Sequence, residues 1–229
     1  MERKMILGVV GASLLALAIG ILGPAQFSEP KKDIDNHLPW KVKQSQGTSE
    51  VFGLHLGLST MQQGLERFLA SAEVSLFVSE DDDYMVEAFF DNVNIAGLGA
   101  KIVLTADLTT TQMQGMLKRG LRISTLGSGT RKVTLHPEDL LIVRASPIAN
   151  ITYLPRIQLK PEFIQKRFGE PSQKIKEQKS DATHWLYPEL GVDVTLSESE
   201  KDLIQYVPPS RFSALLKPLQ DEALNQKQE

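Results

Sequence analysis

The sequence predicts an α+β protein: an N-terminal transmembrane helix followed by two small helix-plus-antiparallel-sheet units. Three observations predict it. Met5–Leu22 is an uncharged run of 18 apolar or small residues. Beyond it, short stretches alternate apolar and polar residues with the period of a strand. Between these stretches lie short helical patterns opened by Ser, Thr or Pro.

The apolar run, MILGVVGASLLALAIGIL, spans roughly 27 Å as a helix, at about 1.5 Å per residue. That is close to a hydrocarbon core of about 30 Å. Two readings stay open for residues 1–28. An uncleaved anchor suits the length of the run. A cleaved signal peptide would use Gly23-Pro24-Ala25, an awkward site because of its proline. Arg3 and Lys4 sit directly before the run, whereas Lys31 and Lys32 after it are surrounded by Glu29, Asp33 and Asp35. This places the N-terminus in the cytoplasm and the body in the periplasm. The expected location is the inner membrane, single-pass, or the soluble periplasm after cleavage.

Residues 29–50 read as a tether with Pro30 and Pro39, and Leu38-Pro39-Trp40 is its docking point. A first α+β unit covers 51–148. Val51–Leu58 is strand-like, and Ser59 or Thr60 caps a helix over Met61–Ala70. Glu73–Ser79 and Tyr84–Asp91 form a hairpin around Glu80–Asp83, and Ala100–Leu108 is a further strand. Thr109 and Thr110 cap a helix over Thr111–Arg119 that Gly120 ends. Leu121–Thr125 and Arg131–Leu135 flank the turn Gly127-Ser128-Gly129, and Pro137 opens a helix to Ala145.

A second unit covers 149–219. Ile151–Leu154 is a strand and Pro161–Phe168 a helix stopped by Gly169-Glu170-Pro171. Gln173–Lys179 with Ala182–Tyr187, and Gly191–Leu196 with Asp202–Val207, are two hairpins. Ser210 caps a last helix over Arg211–Leu219, and 220–229 is a polar tail.

Arg167-Phe168-Gly169-Glu170-Pro171, the aromatic Trp185-Leu186-Tyr187 and Gly191-Val192-Asp193-Val194-Thr195-Leu196 together resemble the module of the SmpA/OmlA outer-membrane assembly lipoproteins and of the beta-lactamase inhibitor protein. The resemblance covers residues 157–215. It implies a helix ending in a Gly-x-Pro turn and then a meander of strands. The first unit reads as a diverged tandem copy, because Arg67-Phe68 stands 100 residues before Arg167-Phe168. It departs at Leu69-Ala70, which replace the Gly-x-Pro turn. The chain has no cysteine, so the lipid anchor of that family does not carry over.

Composition narrows the function. A net charge of −3 and the lack of a Lys/Arg run give no basis for nucleic-acid binding. The absence of cysteine excludes thiolate nucleophiles, disulfides and cysteine-ligated metals. His37, His55, His136 and His184 show no metal-ligand spacing. Gly127-Ser128-Gly129-Thr130-Arg131-Lys132 is the most site-like stretch: an anion cradle, or a plain hairpin turn. Ser28-Glu29-Pro30-Lys31 matches S-x-x-K by coincidence, and Asn150-Ile151-Thr152 matches a glycosylation acceptor. Asp193 and Glu198 are the carboxylates an acid–base pair would need.

The expectation is therefore a membrane-anchored, non-enzymatic protein-binding module of the envelope, with no catalytic, cofactor-binding or metal residues. It would serve in envelope assembly or in inhibition of an envelope enzyme. Its partners are other envelope proteins, and Trp185, Tyr187 and Tyr206 are candidate contacts, each equally readable as core. The alternatives are a carboxylate or serine hydrolase, and a small-ligand or lipid carrier needing an apolar cavity between helix and sheet.

Overall fold

The computed structural model describes residues 37–178 and 180–225. A three-stranded antiparallel sheet comes first, formed by β1 (Lys43–Ser45), β2 (Thr48–Val51) and β3 (Leu54–His55). Ten further strands follow in sequence: β4 (Glu73–Val78), β5 (Tyr84–Ile95), β6 (Leu98–Ala106), β7 (Arg122–Thr125), β8 (Arg131–Thr134), β9 (Ile148–Pro155), β10 (Gln173–Lys176), β11 (Thr183–Tyr187), β12 (Val192–Leu196) and β13 (Leu203–Tyr206). They make one antiparallel sheet in the order β10-β11-β12-β13-β9-β6-β5-β4-β8-β7. The helices are α1 (Met61–Arg67), α2 (Thr110–Arg119), α3 (Pro137–Ala145), α4 (Pro161–Phe168) and α5 (Phe212–Asn225).

This corrects the predicted fold class. The described chain is mostly β, and the two expected units, with the tandem repeat they suggested, are not separate. β6 pairs with β9 from Ala100↔Pro155 to Ala106↔Ile148, which joins the two halves into one sheet. The physical reason is on its covered face. Ile102 and Leu104 of β6 lie beside Tyr153 and Ile151 of β9, and all four are buried. Split apart, each half would expose an apolar edge; joined, they share one core. The expected transmembrane segment Met5–Leu22 lies outside the described residues, as does Ser28–Lys31. Among the described residues no helix is long and apolar enough to cross a membrane.

Local chemistry sets most element ends. Thr60 and Thr109 each close a capping box at α1 and α2, with Gln63 and Gln112 returning the bond. Pro137 and Pro161 open α3 and α4 at the first turn, where a missing N–H costs nothing. The predicted strand Val51–Leu58 is instead folded back on itself. Phe52 and Gly53 both take positive φ, at 56° and 76°, and turn β2 into β3. Two consecutive left-handed residues give the tight turn whose twist matches a hairpin.

One face of the large sheet holds the core, with Met61, Met113, Met116, Val143 and Ile164 packed onto it from α1 to α4. Gly64 lets α1 approach closely, since a Cβ there would stand 2.5 Å from a Leu104 methyl. On the opposite face, Phe212, Leu215 and Leu216 of α5 cover Leu186, Val207 and Ile175 in a smaller apolar cluster.

Candidate functional site

The period-two pattern puts Trp185 and Tyr187 of β11 on the core face, with Val192 and Val194 of β12 beside them. The three aromatic interface candidates are thus interior. Tyr206 is wholly buried, and its hydroxyl donates to the carbonyl of Pro39 at 2.9 Å. The Tyr187 hydroxyl donates to the carbonyl of Gly169 at 3.1 Å, and its ring meets Phe168. Trp185 is buried beneath Lys174, whose ammonium stands 3.6 Å from the ring centroid. The docking point does hold its place: Trp40 packs edge-on against Phe163, with the Arg167 guanidinium 4.6 Å above its ring.

The opposite face of the β10–β13 half carries a cluster of titratable side chains that spacing alone did not reveal. His184 is buried, with Nδ1 at 2.7 Å from Asp193 Oδ2 and Nε2 at 2.9 Å from Glu177 Oε1. Ser180 donates to the other oxygen of Glu177 at 2.7 Å, and Thr195 Oγ1 lies 3.2 Å from His184 Nδ1. Burial disfavours the imidazolium, but the hydrogen bonds and charges of Asp193 and Glu177 outweigh it and raise the His184 pKa above the ordinary value. The same bond from His184 lowers the Glu177 pKa, whereas burial raises that of Asp193. Asp193 Oδ1 is buried with no partner among the described residues.

This arrangement has the order of a carboxylate–histidine relay, with a carboxylate at each end of the ring. Both ring nitrogens are already occupied by carboxylates, so neither is left to take a proton from a nucleophile. Asp193 and Glu198 do not act together, because Glu198 is exposed in the turn after β12 and its backbone N–H donates to Asp181. Asp181 also accepts from Ser197 and Ser199, and these bonds hold its pKa down at about 2. These are the contacts of a pinned turn. Among the described residues no cluster of metal-ligating side chains forms.

The remaining sequence candidates are structural as well. His136 caps α3, its Nδ1 accepting from the Glu138 N–H at 3.3 Å. His55 lies 3.2 Å from Ser45 within the small sheet, and His37 stands against Gly53. Asn150 accepts from Thr105 across β9 and β6 at 2.8 Å. The Gly127–Lys132 stretch is a hairpin turn already supplied with anions. Glu80 lies against Gly129, Asp82 pairs with Arg131 at 3.0 Å, and Glu73 pairs with Lys132 at 2.8 Å.

What the structure does leave open is the β7 edge. All four residues of β7 are exposed, and Leu121, Ile123 and Leu126 are 61%, 51% and 42% exposed. Among the described residues β7 pairs only with β8. Leu126 donates to the Thr130 carbonyl, so alternation turns Leu126, Ser124 and Arg122 toward β8. The backbone groups of Ile123 and Thr125 then point outward, with no neighbouring strand among the described residues. Arg122 within this edge makes no ion pair with any described residue.

Protein-family models, curated proteins and solved structures give no match to this chain. The functional reading therefore rests on the geometry.

Proposed function

We propose that this chain is a membrane-anchored periplasmic protein-binding module, non-enzymatic, acting in envelope assembly or in inhibition of an envelope enzyme. The observation that carries the reading is the β7 edge: an exposed strand with outward backbone donors and acceptors, flanked by uncovered leucine and isoleucine side chains. Such an edge is a template for strand addition. Its occupant is an extended segment of another envelope protein, with apolar residues facing Ile123 and an acidic residue facing Arg122. The likeness of residues 157–215 to the SmpA/OmlA module supports the same kind of role.

The test is site-specific photocrosslinking in the native envelope. A photoreactive residue at position 123 is expected to capture one protein in a fixed ratio, and one at Lys174 on the other edge is not. Thr125→Pro removes one outward N–H while leaving the β7–β8 ladder intact, and it should abolish capture. Capture that survives this substitution, or that is equal at both edges, overturns the reading. Recovery of the full chain, tagged at its C-terminus, in the cytosol would overturn the envelope assignment.

A further inference from the structure

A cavity of about 290 Å³ opens between α4 and the sheet. Its wall is built from Trp40 of the lead-in segment, Tyr153 of β9, Ile204 of β13, Phe163 of α4, and Leu98 and Leu159. At about 30 Å³ per water-sized group, its volume corresponds to roughly ten such groups. That is the lower end of the small-ligand range.

Three polar groups on its wall show that this is more than a packing gap. Tyr153 is 3% exposed, yet its hydroxyl makes no hydrogen bond with any described residue. Burial pushes its pKa up to about 12, so it stays a protonated donor at neutral pH. The hydroxyl is not sealed from solvent, so it bonds water unless a ligand oxygen takes that place. Beside it, the indole N–H of Trp40 is buried and has no acceptor among the described residues. On the exposed side of the same wall stands Lys160, which makes no ion pair with any described residue. An apolar cavity, a tyrosine hydroxyl on its wall with no protein partner and an exposed lysine on the same wall together point to a ligand.

We propose that this cavity binds a medium-chain carboxylate bearing a hydroxyl or keto oxygen on its chain. The carboxylate meets Lys160, the chain lies between Trp40, Phe163 and Ile204, and the chain oxygen accepts from Tyr153. The site is remote in sequence from β7 and independent of what that edge binds.

The test uses the full chain in its native membrane, labelled with a decanoate carrying a terminal diazirine and mapped by mass spectrometry. Adducts are expected on the segments holding Leu98, Ile157 and Phe163. 3-Hydroxydecanoate should compete best and decanoate next. Decyltrimethylammonium, with a chain of the same length and the opposite charge, should compete at least about tenfold less well. Lys160→Glu should cut labelling about tenfold, and Leu98→Trp should fill the slot and abolish it. Tyr153→Phe removes only the unpartnered hydroxyl and should equalise the two acids. The site is overturned if the cationic competitor matches the acids, or if labelling survives both Lys160→Glu and Leu98→Trp. The role given to Tyr153 is overturned if the preference for 3-hydroxydecanoate persists in Tyr153→Phe.

Discussion

The two wings of the ten-stranded sheet handle charge and oil in opposite ways. The β10–β13 wing buries His184 and Asp193 under its own chain and leaves Lys174 and Lys176 on its outer strand. The β4–β8 wing keeps a mostly apolar interior of Leu76, Val78, Val86 and Val133, yet exposes Leu121 and Ile123 at its rim. Lysines on a short outer strand are a common guard against unwanted strand pairing. The β7 rim has Arg122 alone within the strand, and that residue does not cover the apolar side chains. One wing has therefore committed its polar chemistry to holding itself together, and the other has left contact surface uncommitted.

The comparison breaks most sharply at the buried cluster. Asp193→Ala removes the fully buried one of the two carboxylates holding His184 and leaves only partly exposed Glu177 to balance it. Loss of one partner from a buried ion pair is expected to cost about 3 kcal/mol of unfolding free energy. Chemical denaturation monitored through Trp185, which lies on the same hairpin, measures it. A cost within about 0.5 kcal/mol, the range of an ordinary surface substitution, would mean that the cluster does not secure this wing.

A smaller, graded effect follows from proton linkage. The folded His184 pKa lies above its unfolded value near 6.5, so the histidine contributes stability that is fully present below about pH 6.5. That contribution is lost as pH rises through the raised folded value. Glu177 works the other way: its lowered pKa contributes stability above about pH 4.5 that is lost on acidification. Unfolding free energy should thus decline on the alkaline side of neutrality, by no more than about 1.4 kcal/mol per pH unit for one proton. Denaturation midpoints from pH 6 to 9 measure the slope, and His184→Gln should flatten it. A profile that rises over this range in the native chain contradicts the pairing.

The two wings also differ in how much of them the sequence reveals. Helix starts are legible because they depend on adjacent residues: Thr60 with Gln63, Thr109 with Gln112, and Pro137 and Pro161 at first turns. The hairpins of the β10–β13 wing are equally local. The pairing of β6 with β9 is not, since Ile102 and Tyr153 are brought together across two helices and a hairpin. No short-range pattern records that contact, and two separate units was the mistaken expectation. The alternation of Val192 and Val194 does carry the signal that Trp185 and Tyr187 belong to a core. It becomes decisive only once β11 and β12 are known to be in register. His184 and Asp193 are diagonal neighbours in that register, with His184 opposite Thr195 and Leu186 opposite Asp193, and no linear spacing encodes the pair.

The smallest effect on stability is expected at the β7 rim, and it sharpens the contrast most. Ile123 is half exposed at the outermost position of the core face, beside buried Val133. Ile123→Lys should change unfolding free energy by no more than about 0.5 kcal/mol, because most of the side chain is not packed. In the same protein it places a charge where an added strand would lay an apolar residue, and desolvating that charge would cost more than the contact returns. A near-silent denaturation curve together with lost crosslinking at the rim is the signature of a residue kept for a partner. A large loss of stability would instead make Ile123 part of the core, and β7 would then be an ordinary outer strand.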